Sequence, residues 1–257
     1  MSNIKIITFN VRGLQSDKSR KRKVDFLKRL DYDILCLQEM RLKTHVDVCE
    51  LNKMWNTAHS IISIGEDSSD GVGSFFKKDA VNINKRRDII PGRLLLVDCC
   101  YYGQRLRIIN VYNAPERTKK IQLLKKLKYL LEIGFNIILC GDFNIVTEAN
   151  DRISKVEFRE LRESKLLVKI CKEAALRDLY RHLHPHTVHY TRFDSLTKTR
   201  IDRFYISHNV QDDVTVIIRN QNELSSVMEI LHHYEQASGA KTKLKGCGLD
   251  IRPDNLK

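Results

Sequence analysis

Residues 136–144 read NIILCGDFN, and this stretch decides the fold because it joins an apolar run to a polar turn. The run is as short as a strand and lacks polar alternation, which is typical of a strand buried on both faces. Gly141 then makes a turn that presents Asp142 and Asn144. A carboxylate and an amide placed in this way can hold a water nucleophile and a phosphoryl oxygen together.

Three other apolar runs also end on an acidic or amide residue. Asn10 follows IKIITF, Glu39 follows ILCLQ, and Asp202 lies in TRIDRFYIS. Each residue taken alone is more simply explained as a helix cap or a turn residue. Together with GDFN they favour a common site, because active sites of open α/β proteins gather at one rim of a sheet. Their oxygen atoms suit Mg²⁺ (or Mn²⁺), which binds one or two carboxylates plus waters and substrate phosphate.

The rest of the sequence predicts helices that alternate with a long β meander. Helical spacing marks residues 18–30, 46–54, 116–131 and 158–174. Strand patterns mark residues 59–64, 71–76, 81–85, 94–100, 106–111, 189–193 and 200–207. This order predicts an α/β fold, a four-layered sandwich of two packed, mostly antiparallel β-sheets flanked by helices.

The composition changes after about Arg219, which predicts two unequal parts. Residues 1–219 are expected to form the folded domain. Residues 220–257 show no clear strand pattern, contain SGAKTKLKGCG and end in a charged segment with a proline. We therefore expect them to form a tail outside the domain.

The charge balance points to a polyanionic partner. The 257 residues include 45 Lys and Arg against 32 Asp and Glu, a formal net charge of +13. A field of this sign favours nucleic acid over the alternative of a merely soluble basic protein. A membrane surface is the weaker alternative, because no long apolar span or lipidation motif is visible.

The N-terminus and the cysteines predict the compartment. MSNIKIITFN enters a strand-like run directly, without the apolar segment of a signal peptide. The seven cysteines are scattered, odd in number and free of CxxC pairs, which is typical of reduced thiols. These features predict the nucleus or cytoplasm rather than secretion, and they argue against a structural zinc site.

Two further clusters have open interpretations. The histidines in HLHPHTVH (182–189) could bind zinc, but Pro185 interrupts the strand and no Cys or carboxylate completes a ligand set, so partly exposed loop histidines are favoured. The run KSRKRK (18–23) is either a nuclear-localisation or phosphate-contacting patch, or a solvated helix start.

Five motifs together resemble one known superfamily. TFNVRGL (8–14), LQE (37–39), NVYNAP (110–115), GDFN (141–144) and RIDRFYIS (200–207) occur in the order and rough spacing of the endonuclease/exonuclease/phosphatase superfamily. In detail they are similar to the apurinic/apyrimidinic-like endonuclease domain of LINE-type (non-LTR) retrotransposons, from Asn3 to about Ile218. The resemblance implies a Mg²⁺-dependent endonuclease that nicks DNA and uses no small-molecule cofactor.

The resemblance also implies a role for each matching residue. Glu39 becomes the principal metal ligand, with Asn10 beside the metal–phosphate site. Tyr112 contacts the scissile phosphate, Asp142 orients or deprotonates the attacking water, and Asn144 stabilises charge in the transition state. Three further residues are candidates for contact with DNA: Arg12, Thr191 and Arg192.

The sequence departs from the family where a catalytic histidine is expected. In the family, the aspartate that matches Asp202 orients the histidine of a Ser-Asp-His motif. This motif follows roughly 15 to 25 residues after the RIDR strand. No such motif is present, His208 comes too early, and His232 and His233 lack the preceding Asp. In addition, YEQASGAKTKL (234–244) resembles a reverse-transcriptase segment. We therefore expect a chain joined across a deletion or a mispredicted splice, without its last core strand and with weak or absent turnover.

Three functions remain open on the sequence. The first is a Mg²⁺-dependent endonuclease that nicks DNA. The second is a DNA-binding remnant that keeps the fold and the charge but not catalysis. The third is a phosphatase acting on a small phosphorylated ligand, which the basic charge disfavours.

Overall fold

The computed structural model describes residues 4–15, 17–55, 59–77, 81–131 and 134–208, together with the backbone of two later strands. The helices are α1 (Asp17–Arg29), α2 (His45–Trp55), α3 (Arg117–Lys128), α4 (Arg162–Glu173) and α5 (Leu179–Leu183). The strands of the first half are β1 (Ile4–Asn10), β2 (Ile34–Gln38), β3 (His59–Ser63), β4 (Val72–Phe76), β5 (Val81–Ile90), β6 (Leu94–Tyr101) and β7 (Gln104–Tyr112). Those of the second half are β8 (Asn136–Asp142), β9 (Arg152–Ile153), β10 (Leu176–Asp178), β11 (Arg192–Phe193), β12 (Lys198–Thr199), β13 (Asp202–Ser207), β14 (Val214–Arg219) and β15 (Leu249–Ile251).

Two six-stranded sheets form the centre of the molecule. Their strand orders are β15-β14-β1-β2-β4-β3 and β10-β13-β8-β7-β6-β5. Within these two sheets, parallel pairing is confined to β14–β1, β1–β2 and β7–β8, and the other described pairs are antiparallel. The strands β11, β12 and β9 form a third, small sheet.

Three apolar clusters account for the four layers. The inner cluster lies between the sheets and includes Ile6, Phe76 and Ile138. A second packs α1 and α2 on the outer face of the first sheet, where Trp55 stacks on Phe75 with ring centroids 4.1 Å apart. The third packs α3 and α4 on the outer face of the second sheet. The predicted α/β sandwich of two sheets flanked by helices is therefore confirmed.

Some boundaries differ from the predictions for local reasons. α4 begins at Arg162 rather than at residue 158, after an extended segment with exposed polar residues. β5 continues to Ile90, past the predicted end at Lys85, and it stays paired with β6 across two register shifts. Only Arg192 and Phe193 of residues 189–193 form a strand.

The predicted tail is not wholly without strand structure. Leu249–Ile251 pairs antiparallel with β14, so the expectation of no strand after residue 219 is wrong for these three residues. Sequence patterning missed them because an edge strand this short has no periodicity to detect. The region in which the last core strand was expected to be missing falls in residues 220–248, which lie outside the described residues. Among the helices that are described, none is long and apolar enough to span a membrane.

Candidate active site

The predicted strand ends meet where the rims of the two sheets adjoin. Tyr112, Asp142 and Asp202 are register partners on the adjacent strands β7, β8 and β13. From the other sheet, Asn10 ends β1 and Glu39 follows β2 directly. The chain topology alone therefore brings five residues from distant sequence positions to one place.

These residues line a cleft of about 440 Å³. All nine residues singled out from the sequence belong to its walls: Asn10, Arg12, Glu39, Tyr112, Asp142, Asn144, Thr191, Arg192 and Asp202. The cleft also has five lining residues that the sequence analysis did not single out: Arg41, Ser69, Pro115, Asp194 and Ile201. Arg41 lies two positions after Glu39 in an irregular turn, and Ser69 comes from a loop, so no motif or periodicity marked either residue.

Asn10 links the two carboxylates of the cleft. Its side-chain Nδ2 donates to Glu39 Oε2 at 3.0 Å and to Asp142 Oδ2 at 2.9 Å. Its Oδ1 accepts from the main-chain N–H of Arg12 at 3.0 Å, which fixes the orientation of the amide. Asn10 therefore holds carboxylates from different sheets at a constant separation.

Glu39 is held in a strained and highly connected turn. Its φ is 53°, and Arg41 has a φ of 58°, both in the left-handed region that costs an ordinary residue about 1–2 kcal/mol. Main-chain hydrogen bonds from Gly13 to Glu39 O (2.7 Å) and from Met40 to Gly71 O (3.0 Å) hold the turn. The Arg41 guanidinium pairs with Glu39 Oε1 through Nη2 and through Nε at 3.1 Å.

Left-handed backbone is concentrated at the cleft. Six non-glycine residues of the described chain have a positive φ, and Arg12, Glu39, Arg41 and Asn144 among them line the cleft. Such conformations persist only where the surrounding structure fixes them, and they cluster at functional sites. The cleft is thus preorganised by its backbone as well as by its side chains.

Asp142 is a buried carboxyl group with a raised pKa. Burial raises the pKa to about 6, against the hydrogen bonds from Asn10 and from the main-chain N–H of Asn144, the latter at 2.9 Å. Asn144 also donates its Nδ2 to Asn113 O at 2.8 Å. Gly141 makes this arrangement possible, because a Cβ there would lie 2.0 Å from Val111 O. A group with a pKa close to neutrality is suited to exchange protons with water.

Tyr112 lines the cleft, and its ring packs against the charged side chain of Arg93. The Arg93 guanidinium lies 4.6 Å from the centroid of its ring, and Ser69 hydrogen-bonds its hydroxyl group. Burial, followed by the charges of Glu39 and Asp142, raises the pKa of the Tyr112 phenol. The hydroxyl therefore stays protonated and can donate a hydrogen bond to an anion.

Asp202 sits opposite Asp142 and is held by Thr191. The Thr191 hydroxyl oxygen accepts the main-chain N–H groups of Ile201 and Asp202, both at 3.1 Å. Burial, then the neighbouring Asp142 charge, raises the pKa of Asp202 well above its ordinary value. Thr191 is itself buried, and its hydroxyl group contacts the residues at the start of β13.

A buried ion cluster braces this wall from behind, and the sequence analysis missed it. Asp151 pairs with Arg200 Nε at 2.7 Å and with Arg203 Nη2 at 2.7 Å. Asp178 pairs with the same two arginines at 2.8 and 2.9 Å. Since Arg200 and Arg203 flank Asp202, the cluster fixes the strand that carries this carboxyl group.

None of the fourteen residues that line the cleft within the described chain is a histidine. His208 lies beyond the far end of β13 and accepts a hydrogen bond from Arg177 Nε at 3.0 Å. With about 3.3 Å per residue of strand, it is roughly 20 Å along the chain from Asp202. His184 and His189 pack against Tyr180, at centroid distances of 5.2 and 6.0 Å.

The donor set of the cleft fits one hydrated hard cation. The described residues contain no group of three or more His, Cys, Asp or Glu side chains that could hold a metal by themselves. Mg²⁺ does not require such a group, since it keeps several waters and uses one or two carboxylates with substrate phosphate. Glu39, whose Oε2 accepts from the Asn10 amide, provides one such carboxylate at the cleft.

The chain belongs to the endonuclease/exonuclease/phosphatase family, whose sequence profile matches residues 7–225. It is 27% identical over 228 residues to the transposon TX1 uncharacterized 149 kDa protein of Xenopus laevis, covering 80% of this chain. The chain spans only 16% of that relative.

Solved structures support the fold. The catalytic domain of Xenopus laevis APE2 superposes with a TM-score of 0.65 and 19% identity, covering 82% of this chain and 86% of that one. The 3′ phosphatase NExo from Neisseria, bound to product DNA hairpin, gives a TM-score of 0.59 and 23% identity, with 79% and 86% covered. At these identities the likeness establishes the shared fold.

Proposed function

We propose that this protein is a Mg²⁺-dependent phosphodiester hydrolase that nicks DNA, is derived from a LINE-type retrotransposon and has impaired catalysis. The observation that carries the proposal is the convergence of the nine candidate site residues on one cleft, with Asn10 joining Glu39 to Asp142. The net charge of +13 favours a polyanionic substrate. The similarity to a transposon protein favours the proposed origin.

The chain's own residues divide the reaction among them. A divalent cation bound by Glu39 would spread the charge that develops on the phosphoryl oxygens. Asp142 accepts a proton from the attacking water, as its pKa of about 6 allows at neutral pH. Asn144 and the Tyr112 hydroxyl donate hydrogen bonds to phosphoryl oxygens, and the exposed Arg12 and Arg192 attract the DNA backbone.

The proposed impairment lies at Asp202. Its described neighbours include Asp142, Thr191, Arg12 and Arg203, and none of them is an imidazole that Asp202 could orient towards the phosphate. Loss of one such acid–base group costs about 10²- to 10⁴-fold in rate. We also propose that residues 220–257 stand outside the nuclease domain, although the family profile reaches residue 225 and β15 joins the sheet.

A nicking assay on supercoiled plasmid tests this function. With Mg²⁺ we expect slow nicking that Glu39→Ala and Asp142→Ala abolish. Binding in a gel shift with EDTA, without nicking under any condition, would instead support the DNA-binding remnant. Release of phosphate from a small phosphorylated ligand, but not from DNA, would support the third candidate.

A further inference from the structure

We propose that Arg41 sets the affinity of the cleft for a divalent cation, because it holds an oxygen of Glu39 that the cation also needs. The inference deepens the proposed function and rests on it. It concerns a residue that lines the cleft but belongs to none of the five motifs.

Both carboxylate oxygens of Glu39 already have donors from the protein. Oε1 accepts from Nε (3.1 Å) and Nη2 of Arg41, whereas Oε2 accepts from Asn10 Nδ2 at 3.0 Å. The amide is neutral and tolerates a nearby cation, but the guanidinium repels one. A divalent cation and Arg41 therefore compete for the charge of Glu39.

The backbone makes this pairing a built feature. Glu39 and Arg41 both have left-handed φ values, and the Arg41 N–H donates to Asp70 O at 2.8 Å. A Cβ on Gly71 would lie 3.0 Å from the main-chain N of Arg41, so the neighbouring strand end closes tightly over the turn. These contacts place the Arg41 side chain, which is 38% exposed and lines the cleft, beside Glu39.

The half-buried ammonium of Lys23 adds to the competition. Lys23 Nζ is fixed by Val11 O and Gly13 O at 2.7 and 2.8 Å, within the field of Glu39, Arg41 and Arg12.

A phosphate in the cleft offers Arg41 a bidentate partner, the geometry that arginine prefers. When Arg41 takes that partner, Glu39 becomes more available to the metal. Metal and DNA should therefore each raise the affinity for the other by the same factor.

Calorimetric titration of the full chain with Mn²⁺, without DNA, measures the competition directly. Arg41→Ala should bind Mn²⁺ at least about 5-fold more tightly than the wild type, within the usual range of site coupling. Arg41→Lys should lie between them, because lysine keeps the charge but lacks the planar contact. Lys126→Ala removes an exposed cation outside the cleft and should leave the affinity unchanged. Equal or weaker binding by a folded Arg41→Ala protein would overturn the inference, and Arg41→Lys supplies the test if the alanine variant does not fold.

A second titration adds a short duplex with phosphorothioate linkages. The duplex should raise the Mn²⁺ affinity of the wild type more than that of Arg41→Ala, and equal increases would overturn the coupling. Glu39→Gln tests the proposed metal ligand separately from the proposed role of Arg41. Unchanged Mn²⁺ binding by Glu39→Gln would refute the proposed metal ligand itself. Loss of binding by Glu39→Gln with no effect of Arg41→Ala would refute the role of Arg41 alone.

Discussion

Asp142 and Asp202 lie directly opposite each other on the antiparallel strands β8 and β13, and both are buried carboxyl groups with raised pKa values. Two buried carboxyl groups on neighbouring strands repel each other when both are ionised. They therefore titrate as a coupled pair.

This pair predicts a pH dependence of stability in EDTA. The folded pKa of Asp142 is about 6 against an ordinary value of 3.8, so the folded state binds this proton more tightly than the unfolded state. The contribution of Asp142 to the free energy of unfolding must then fall as pH rises from about 4 to about 6, by about 3 kcal/mol. Asp142→Asn should reduce this fall to the part that Asp202 contributes, as measured by urea unfolding at several pH values. A wild-type curve that matches the variant over this window would contradict the assigned pKa.

The buried ion cluster predicts a large effect of the opposite sign. Burial alone would raise the pKa of Asp151, but the charges of Arg203 and Arg200 lower it to about 2. Its stabilising contribution is present above pH 3.8 and is lost as pH falls through about 2. Asp151→Asn should lower the free energy of unfolding at pH 7 by about 3–5 kcal/mol, because the buried Arg200 and Arg203 lose one of their two carboxylate partners.

An exposed ion pair provides the control for this cluster. Lys169 and Glu173 lie one helical turn apart with a separation of 3.8 Å, both side chains well exposed. Lys169→Ala should change the free energy of unfolding by less than about 0.5 kcal/mol. A loss of similar size in the two variants would show that burial does not govern the strength of these ion pairs.

Gly141 is predicted to be irreplaceable in the turn that carries Asp142. Any Cβ would meet the main-chain oxygen of Val111 at 2.0 Å, so Gly141→Ala must push β8 away from β7. We expect a drop in the melting temperature and loss of nicking. Gly103→Ala is the matched control, because its φ of 84° is also positive but no atom lies within 4 Å of the added Cβ. It should cost only about 1–2 kcal/mol of backbone strain.

The sequence predicted the residues at the strand ends of the site better than the residues that pair with them or brace their strands. The motifs at Asn10, Glu39, Asp142 and Asp202 could be read because each follows or opens an apolar strand, and strand ends share a rim in this architecture. Arg41 and Asp151 could not be found in this way. Their importance depends on side-chain contacts between residues that lie far apart in sequence or in an irregular turn, where no periodicity exists to detect.

The exposed arginine Arg192 predicts a salt effect on DNA binding. Its charge lies near Asp142 at the mouth of the cleft, and it pairs with the half-exposed Asp194 at 3.2 Å. Arg192→Ala should weaken duplex binding and lower the slope of log affinity against log salt by about 1. Fluorescence anisotropy between low and high salt measures this slope. An unchanged slope, equal to that of Lys126→Ala, would place the DNA elsewhere.

Single-turnover cleavage of an end-labelled DNA duplex, with protein in excess, tests the central proposal most directly. The account predicts slow cleavage in Mg²⁺, none in EDTA, and at least about 10²-fold slower cleavage by Glu39→Gln and by Asp142→Asn, with Lys126→Ala unchanged. The histidine motif missing from the sequence sets the wild-type rate about 10²- to 10⁴-fold below that of an intact family member. Cleavage that persists in EDTA or in both cleft variants would contradict the assignment of this cleft, and a rate equal to that of an intact member would contradict the impairment.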